Sequence, residues 1–152
     1  MKPTIYLGGP MSGMTWRQAM EWRWTAQTRL EHSWRLINPC RTQIPMDKLD
    51  EVIIASTQKD GDLDLHLTAT GITAQDEFFI DQSDWLLVNF LGAERVSIGT
   101  VWEMGYAWAK GKKIVTVVEP GSINDHPFTR RRSHVFTPDF EEALDFFLVV
   151  AV

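Results

Sequence analysis

Residues 83–109 read SDWLLVNFLGAERVSIGTVWEMGYAWA, and this stretch decides the fold. Residues 84–90 (DWLLVNF) are a short apolar run of the kind a strand shows when both faces of its sheet are covered, as in parallel sheets. The run leads to a small-residue turn, Ser97, Ile98, Gly99 and Thr100, and then to a helix over 99–110 that Gly111 ends. A helix N-terminus carries unpaired N–H groups and partial positive charge, so such a turn can hold an anion. One acid, Glu103, follows within the first two turns, in reach of whatever the turn holds.

The rest of the chain repeats this strand-to-helix rhythm. Residues 4–8 (TIYLG) read as a first core strand that ends in glycine, and 16–33 as a helix with Trp16, Ala19, Met20, Ala26 and Leu30 on one face. Trp22 and Trp24 fall at the edges of that face, so part of this helix is expected to meet a second subunit. Residues 34–38 (WRLIN) form a second strand stopped by Pro39. From 41 to 72 the pattern fades: IPMDKLDEVIIAS (44–56) is compatible with a helix, and 58–71 is mixed and punctuated by glycine. A loop that long either covers a site or moves. A helix over 74–83, strands over 113–118 and 134–136, and a closing helix over 138–149 with Pro138 at an early position complete the series. Alternating strands and helices predict an α/β fold with a parallel sheet. The expectation is one domain over 1–152, a flavodoxin-like (Rossmann-like) three-layer sandwich with a five-stranded parallel sheet. Ligands in such sheets sit beyond the C-terminal strand ends at the switch in strand order, where the loop 8–13 and the turn 97–100 both fall.

Composition narrows the classes of partner. The net charge of −5 argues against a nucleic-acid partner, which needs a basic face. A single cysteine, Cys40, allows no disulfide framework and no thiolate zinc site, and no stretch approaches a membrane span or a signal peptide. The chain reads as cytoplasmic, with no membrane partner. His66, His126 and His134 have no metal-ligand spacing, so no metal site is expected.

The candidate chemistry is acidic. YLGGPMSG (6–13) lets backbone approach a ligand closely, yet it is not G-x-G-x-x-G and lacks the P-loop lysine. Glu103 stands in a helix whose neighbours, Val101, Trp102, Met104, Tyr106, Ala107 and Trp108, are apolar or aromatic. Burying an acid there is costly unless it is paired or wet, although a helix N-terminus attracts acids for dipole reasons alone. Asp76 lies on the preceding helix beside Glu77 and Asp81. Two carboxylates that converged on one pocket would suit acid/base or nucleophilic work at a glycosidic carbon, though spacing alone leaves a solvated helix face equally open. Asp84 reads as structural, and Asn89 either touches a ligand or closes the strand edge.

Taken together, the chain resembles the nucleoside 2-deoxyribosyltransferase superfamily, which includes deoxynucleoside 5′-monophosphate N-glycosidases. The resemblance rests on YLGGPMSG, on NPCR at 38–41, on Asp76, Ile80, Ser83 and Asp84, on S-x-G-T-x2-E-x-G-Y-A at 97–107, and on Asn124, His126 and Pro127. It implies Glu103 as the nucleophile at C1′, Tyr6 positioning it, and Asp76 at the sugar hydroxyls or the leaving base. It implies a substrate site built from Gly8, Gly9, Pro10, Met11, Ser12, Gly13, Asn89, Ser97, Gly99, Thr100, Asn124 and His126, with no cofactor. Base-exchanging relatives typically carry aspartate at the position of Ser97, whereas monophosphate hydrolases carry serine. An aspartate would repel a 5′-phosphate that serine and the N–H groups of Gly99 and Thr100 could accept. The implied activity is therefore cleavage of the N-glycosidic bond of a (deoxy)ribonucleoside 5′-monophosphate. Base exchange on 2′-deoxynucleosides and a non-catalytic nucleotide sensor are the alternatives. In the family a neighbouring subunit lends late-loop residues to the site, so a homodimer or larger homo-oligomer with shared sites is implied. Between Asn89 and Ser97 this chain departs from the family's short proline turn and carries Gly92, Ala93, Glu94 and Arg95. Arg95 would either add to phosphate binding or pair with Glu94.

Overall fold

A computed structural model describes residues 1–40, 46–53 and 68–151. In chain order the elements are β1 (Thr4–Gly8), α1 (Trp16–Leu30), β2 (Arg35–Ile37), a 3-10 turn (Met46–Lys48), α2 (Ala69–Asp81), β3 (Trp85–Asn89), α3 (Ile98–Ala109), β4 (Lys113–Val117), α4 (Pro127–Arg131), β5 (Val135–Thr137) and α5 (Phe140–Val150). The five strands pair in the order β2-β1-β3-β4-β5, every pair parallel. This is the flavodoxin-like order, with its topological switch between β1 and β3.

Strand alternation sends side chains into two cores. Ile5, Leu7, Leu87, Val115 and Val117 pack with Ala26 and Leu30 of α1 and with Ala143, Leu144 and Phe147 of α5. Tyr6, Leu86, Val88 and Ile114 face the other way, against Phe79 and Ile80 of α2 and Met104 and Ala107 of α3. The result is the expected three layers. Among the described residues no helix is long and apolar enough to cross a membrane.

Helix boundaries follow local capping chemistry, and this accounts for the differences from sequence expectation. α1 opens on a capping box of Thr15 and Gln18 and ends at Leu30, three residues before the expected end. α2 begins at Ala69, five residues before the expected start, because the Thr68 side chain accepts from Gly71 N–H and starts the helix through a glycine that propensity alone would exclude. Pro138 is not inside α5: Asp139 caps the helix by accepting from Glu141 and Glu142 N–H groups, so the proline lies just outside. The short α4 was not anticipated. Of the stretch compatible with a helix at 44–56, only Met46–Lys48 is helical, as a 3-10 turn, and residues 44, 45 and 54–56 lie outside the described residues. The reason is that Leu49, Glu51 and Ile53 give their carbonyls to the segment before and at the start of α1 (Arg17 N–H to Leu49 O 2.7 Å, Trp16 N–H to Glu51 O 3.1 Å, Gly13 N–H to Ile53 O 2.8 Å). Trp22 packs edge-on against Phe140 of its own chain at 6.1 Å, while Trp24 stays 45% exposed. Asp84 accepts the Thr4 N–H at 2.8 Å and so ties the starts of β3 and β1 together.

The α1/α5 core is centred on aromatic edges. Phe147 is fully buried, with ring centroids of Trp34, Trp85 and Phe146 at 5.4, 5.6 and 5.8 Å, and the Trp34 indole N–H donates to Phe147 O at 3.0 Å. Phe147→Ala is expected to lower unfolding stability by about 3–5 kcal/mol in chemical denaturation, because three rigid rings cannot collapse into the space left behind. A loss below about 1 kcal/mol would contradict this packing.

Candidate active site

The site lies where β1 and β3 part. At the end of β1 the backbone has no room for side chains: a Cβ on Gly8 would approach Glu103 Oε2 to 3.1 Å, and one on Gly9 would meet the Asn89 carbonyl oxygen at 2.8 Å. Beyond these glycines opens a pocket of about 530 Å³, within the range of small-molecule sites. Its walls are the first loop from Gly9 to Met14, Ile72 and Asp76 of α2, the loop from Ala93 to Ser97, and Ile98, Gly99, Thr100 and Glu103 of α3. Backbone bonds between Gly13, Met14 and Ile53 brace the first loop from behind.

Three of the residues singled out from sequence converge at the pocket floor. The Tyr6 hydroxyl donates to Glu103 Oε1 at 3.1 Å, and Glu103 and Asp76 both line the cavity. Burial is the main force on Glu103 and pushes its carboxyl up to about 8. The nearby Asp76 charge raises it further, while the Tyr6 hydroxyl and the charge of Arg23 oppose the rise. Burial also raises Asp76, against a downward pull from the Tyr6 hydroxyl. Tyr6 itself is driven well above the ordinary phenol range by burial and by the two carboxylates, so it stays a proton donor. The arrangement is a carboxylate pair with a neutral hydroxyl between them.

Arg23 is the residue that sequence reasoning missed. It is 1% exposed, its Nη2 donates to Gly9 O at 3.1 Å, its Nη1 donates to Ala19 O, and its Nε has no partner among the described residues. The guanidinium lies 4.3 Å from the Trp22 ring centroid. Burial lowers it to about 10, opposed by the charges of Cys40, Glu103 and Tyr6. The available signal was positional: Arg23 falls on the buried stripe of α1 between Met20 and Ala26, where a charge is out of place.

The second group of candidates builds the turn before α3. Ser97 Oγ and Thr100 Oγ1 are 2.8 Å apart, and Ser97 makes no side-chain cap. The Val101 N–H bonds to Ser97 O, which leaves the first-turn N–H groups of Gly99 and Thr100 without helical acceptors. A Cβ on Gly99 would meet nothing within 4 Å. Asn124, buried, takes the Ser97 N–H on its Oδ1 at 3.4 Å and gives its amide to Arg95 O at 3.0 Å, so it fastens this turn from its own chain. Pro10, Met11, Ser12 and Gly13 line the opposite wall. Four of the substrate-site candidates do not line the cavity: Gly8 ends β1, Asn124 fastens the turn before α3, Asn89 accepts from Leu91 N–H at 2.9 Å and closes the strand edge, and His126 accepts from Phe128 N–H as the cap of α4. Arg95 does not pair with Glu94 among the described residues.

With this geometry in view, comparison with known proteins is informative. Residues 5–127 match the sequence profile of the family described as nucleoside 2-deoxyribosyltransferase. No curated protein sequence matches the chain. Among solved structures, a 2-deoxyribosyltransferase from Bacillus psychrosaccharolyticus is similar with a TM-score of 0.65 at 19% identity over 97% of this chain and 95% of the other. The CMP N-glycosidase of Clostridium botulinum gives 0.57 at 19% over 96% and 98%. A molybdenum cofactor binding protein from Rippkaea orientalis gives 0.62 at 14% over 100% and 99%, so likeness of fold at these identities does not by itself choose a function.

The buried carboxyl has a thermodynamic signature. Glu103 is raised in the folded state, so the folded protein holds its proton over a pH range in which the unfolded chain has lost it, and stability falls as pH rises from about 4.5 toward about 8. Glu103→Gln removes that dependence. Its melting temperature should exceed the wild type's at pH 8 by a margin that shrinks toward pH 5, and a margin independent of pH would refute the burial.

Proposed function

The chain belongs to the nucleoside 2-deoxyribosyltransferase family, and from that membership we propose that it cleaves the N-glycosidic bond of a nucleoside 5′-monophosphate through a glutamate nucleophile. That it is a glycosyl-transferring or N-glycosidase enzyme follows from the family. The observation that carries the finer reading is Ser97. The pocket already holds Asp76, Glu94 and Glu103, and a fourth acid at the turn would make it hostile to any phosphate. Serine with the free N–H groups of α3 makes the turn receptive instead. Six residues separate Ser97 from Glu103, a rise of about 9 Å along the helix, which leaves room for a phosphorylated pentose between turn and carboxylate.

In the proposed reaction Glu103 attacks C1′ as the C1′–N bond breaks, and the base leaves with the bonding pair and takes a proton from Asp76. The Tyr6 hydroxyl holds the second carboxylate oxygen in line. Water then attacks C1′ and gives a proton back to Asp76, which frees Glu103 and yields the sugar 5-phosphate. A second base in place of that water would give exchange.

The assembly we propose is a homodimer or larger. Ile98, Val101 and Trp102 are 81, 36 and 41% exposed at successive i, i+3 and i+4 positions of α3, and Ile123 and Phe128 are exposed at 56 and 68%. Large apolar side chains exposed together on one helix face mark a surface that another copy would cover. Sedimentation analysis is expected to give at least twice the mass of 17.4 kDa, and a monomer at assay concentration would rule the shared site out.

Two further measurements test the chemistry. With a panel of nucleoside 5′-monophosphates and matching nucleosides, wild type should release free base from a monophosphate, and Glu103→Ala should lose several orders of magnitude in rate while keeping its fold. Ser97→Asp should lower monophosphate turnover far more than nucleoside turnover. Nucleoside-only activity would overturn the phosphate reading, and near-normal turnover by Glu103→Ala would overturn the nucleophile.

A further inference from the structure

Arg95 stands out once the pocket's charges are counted. Among the described residues that line the cavity it is the one cation, against Asp76, Glu94 and Glu103. It belongs to the segment between β3 and α3, and its side chain reaches across to the first loop. A methyl group on Gly13 would come within 3.6 Å of Arg95 Cδ, 3.7 Å of Nε and 3.9 Å of Cζ. Gly13 has φ +85°, a conformation that disfavours a side chain, so the surface under the arginine stays bare. The guanidinium thus spans two facing walls of the pocket.

Its backbone is fixed, while among the described residues its head group has no hydrogen-bond or ion-pair partner. Asn124 holds the Arg95 carbonyl and the Ser97 N–H at once, so arginine and anion turn are set by one buried amide. Among the described residues no carboxylate forms an ion pair with Arg95, although Glu94 is its neighbour in sequence; Arg17, Arg29 and Arg130 are paired, and the exposed Arg35 and Arg131 are, like Arg95, in no ion pair. An arginine with an unengaged planar fork beside unengaged helical N–H groups has the donor geometry for a tetrahedral anion.

We propose that Arg95 clamps the 5′-phosphate from the side opposite the turn, and that it sets the preference of this chain for phosphorylated substrates. The proposal rests on the monophosphate reading of the site. The division of labour is specific: Ser97, Gly99 and Thr100 supply short neutral donors from one side, and Arg95 supplies the charge that offsets the acids of the pocket. Because the arginine is exposed before substrate binds, its contribution depends on ionic strength. It acts on substrate capture, since the phosphate is remote from C1′ and bears the same charge before and during bond cleavage.

The test is the full-length enzyme as wild type, Arg95→Met and Arg95→Lys, assayed on one nucleoside 5′-monophosphate and its parent nucleoside at low and high salt. Arg95→Met should reduce the ratio of kcat/KM for monophosphate over nucleoside by about tenfold or more, through KM and not kcat, with Arg95→Lys between it and wild type. The rise of KM with salt should be steep in wild type and shallow in Arg95→Met. An unchanged ratio in a variant whose wild type does turn over monophosphates overturns the clamp and leaves the monophosphate reading standing. Equal losses on both substrates also overturn it, because they assign Arg95 to loop structure. No turnover of any monophosphate by the wild type removes both proposals together.

Discussion

A hydrogen bond between Tyr6 and Glu103, residues 97 positions apart, is the contact on which the site depends. An ionisable acid set deep beside a parallel sheet is unstable unless something orients it and bonds to its oxygens, and the hydroxyl does this by donating, without bringing a second charge. For the bond to exist, β1 and β3 must be neighbours, α3 must leave β3 toward the same face, and Gly8 must lack a side chain. The strand order and the glycine at the end of β1 satisfy these requirements together. Sheet topology and the geometry of this acid and hydroxyl are therefore one constraint seen at two scales.

Around that contact the charges are arranged as opposed pulls. Burial and Asp76 drive Glu103 toward its neutral form, and Tyr6 and Arg23 draw it back. Such a balance keeps a proton mobile near neutral pH, which would suit the nucleophile proposed for this position. It also means that the pocket is a place of stored instability. The buried Arg23, with one nitrogen that has no partner among the described residues, belongs to the same tension: it stabilises the carboxylate and is itself destabilised by the dry surroundings that make its field strong.

Much of this was legible in the chain because the physics is local. Unbroken apolar runs such as LLV at 86–88 have one good solution, a covered parallel sheet, and the sheet fixes which loops share an edge. Glu103 was visible as an acid among aromatics. What escaped notice was set at a distance. Arg23 falls on the buried stripe of a helix crowded with tryptophan, and its approach to the Gly9 carbonyl gives it a place there. Asn124 and His126, grouped by motif, take different tasks: one fastens the turn before α3 and the other caps α4. The early start of α2 depended on a threonine hydroxyl outweighing a glycine, a contest that averaged propensities cannot decide.

The bracing of the first loop by residues 46–53 has an evolutionary corollary. The bonds from Gly13 to Ile53, Ile53 to Met14, Trp16 to Glu51 and Arg17 to Leu49 run between main-chain atoms, while the Arg17 side chain also pairs with Asp50 at 2.7 Å and Leu49 is buried. The main-chain part of this buttress constrains the path of the chain and tolerates change at exposed positions such as Glu51 and Val52, whereas Leu49 is buried and Asp50 is held by Arg17. Mutational drift can therefore rewrite part of this strap while the glycine turn it supports keeps its shape.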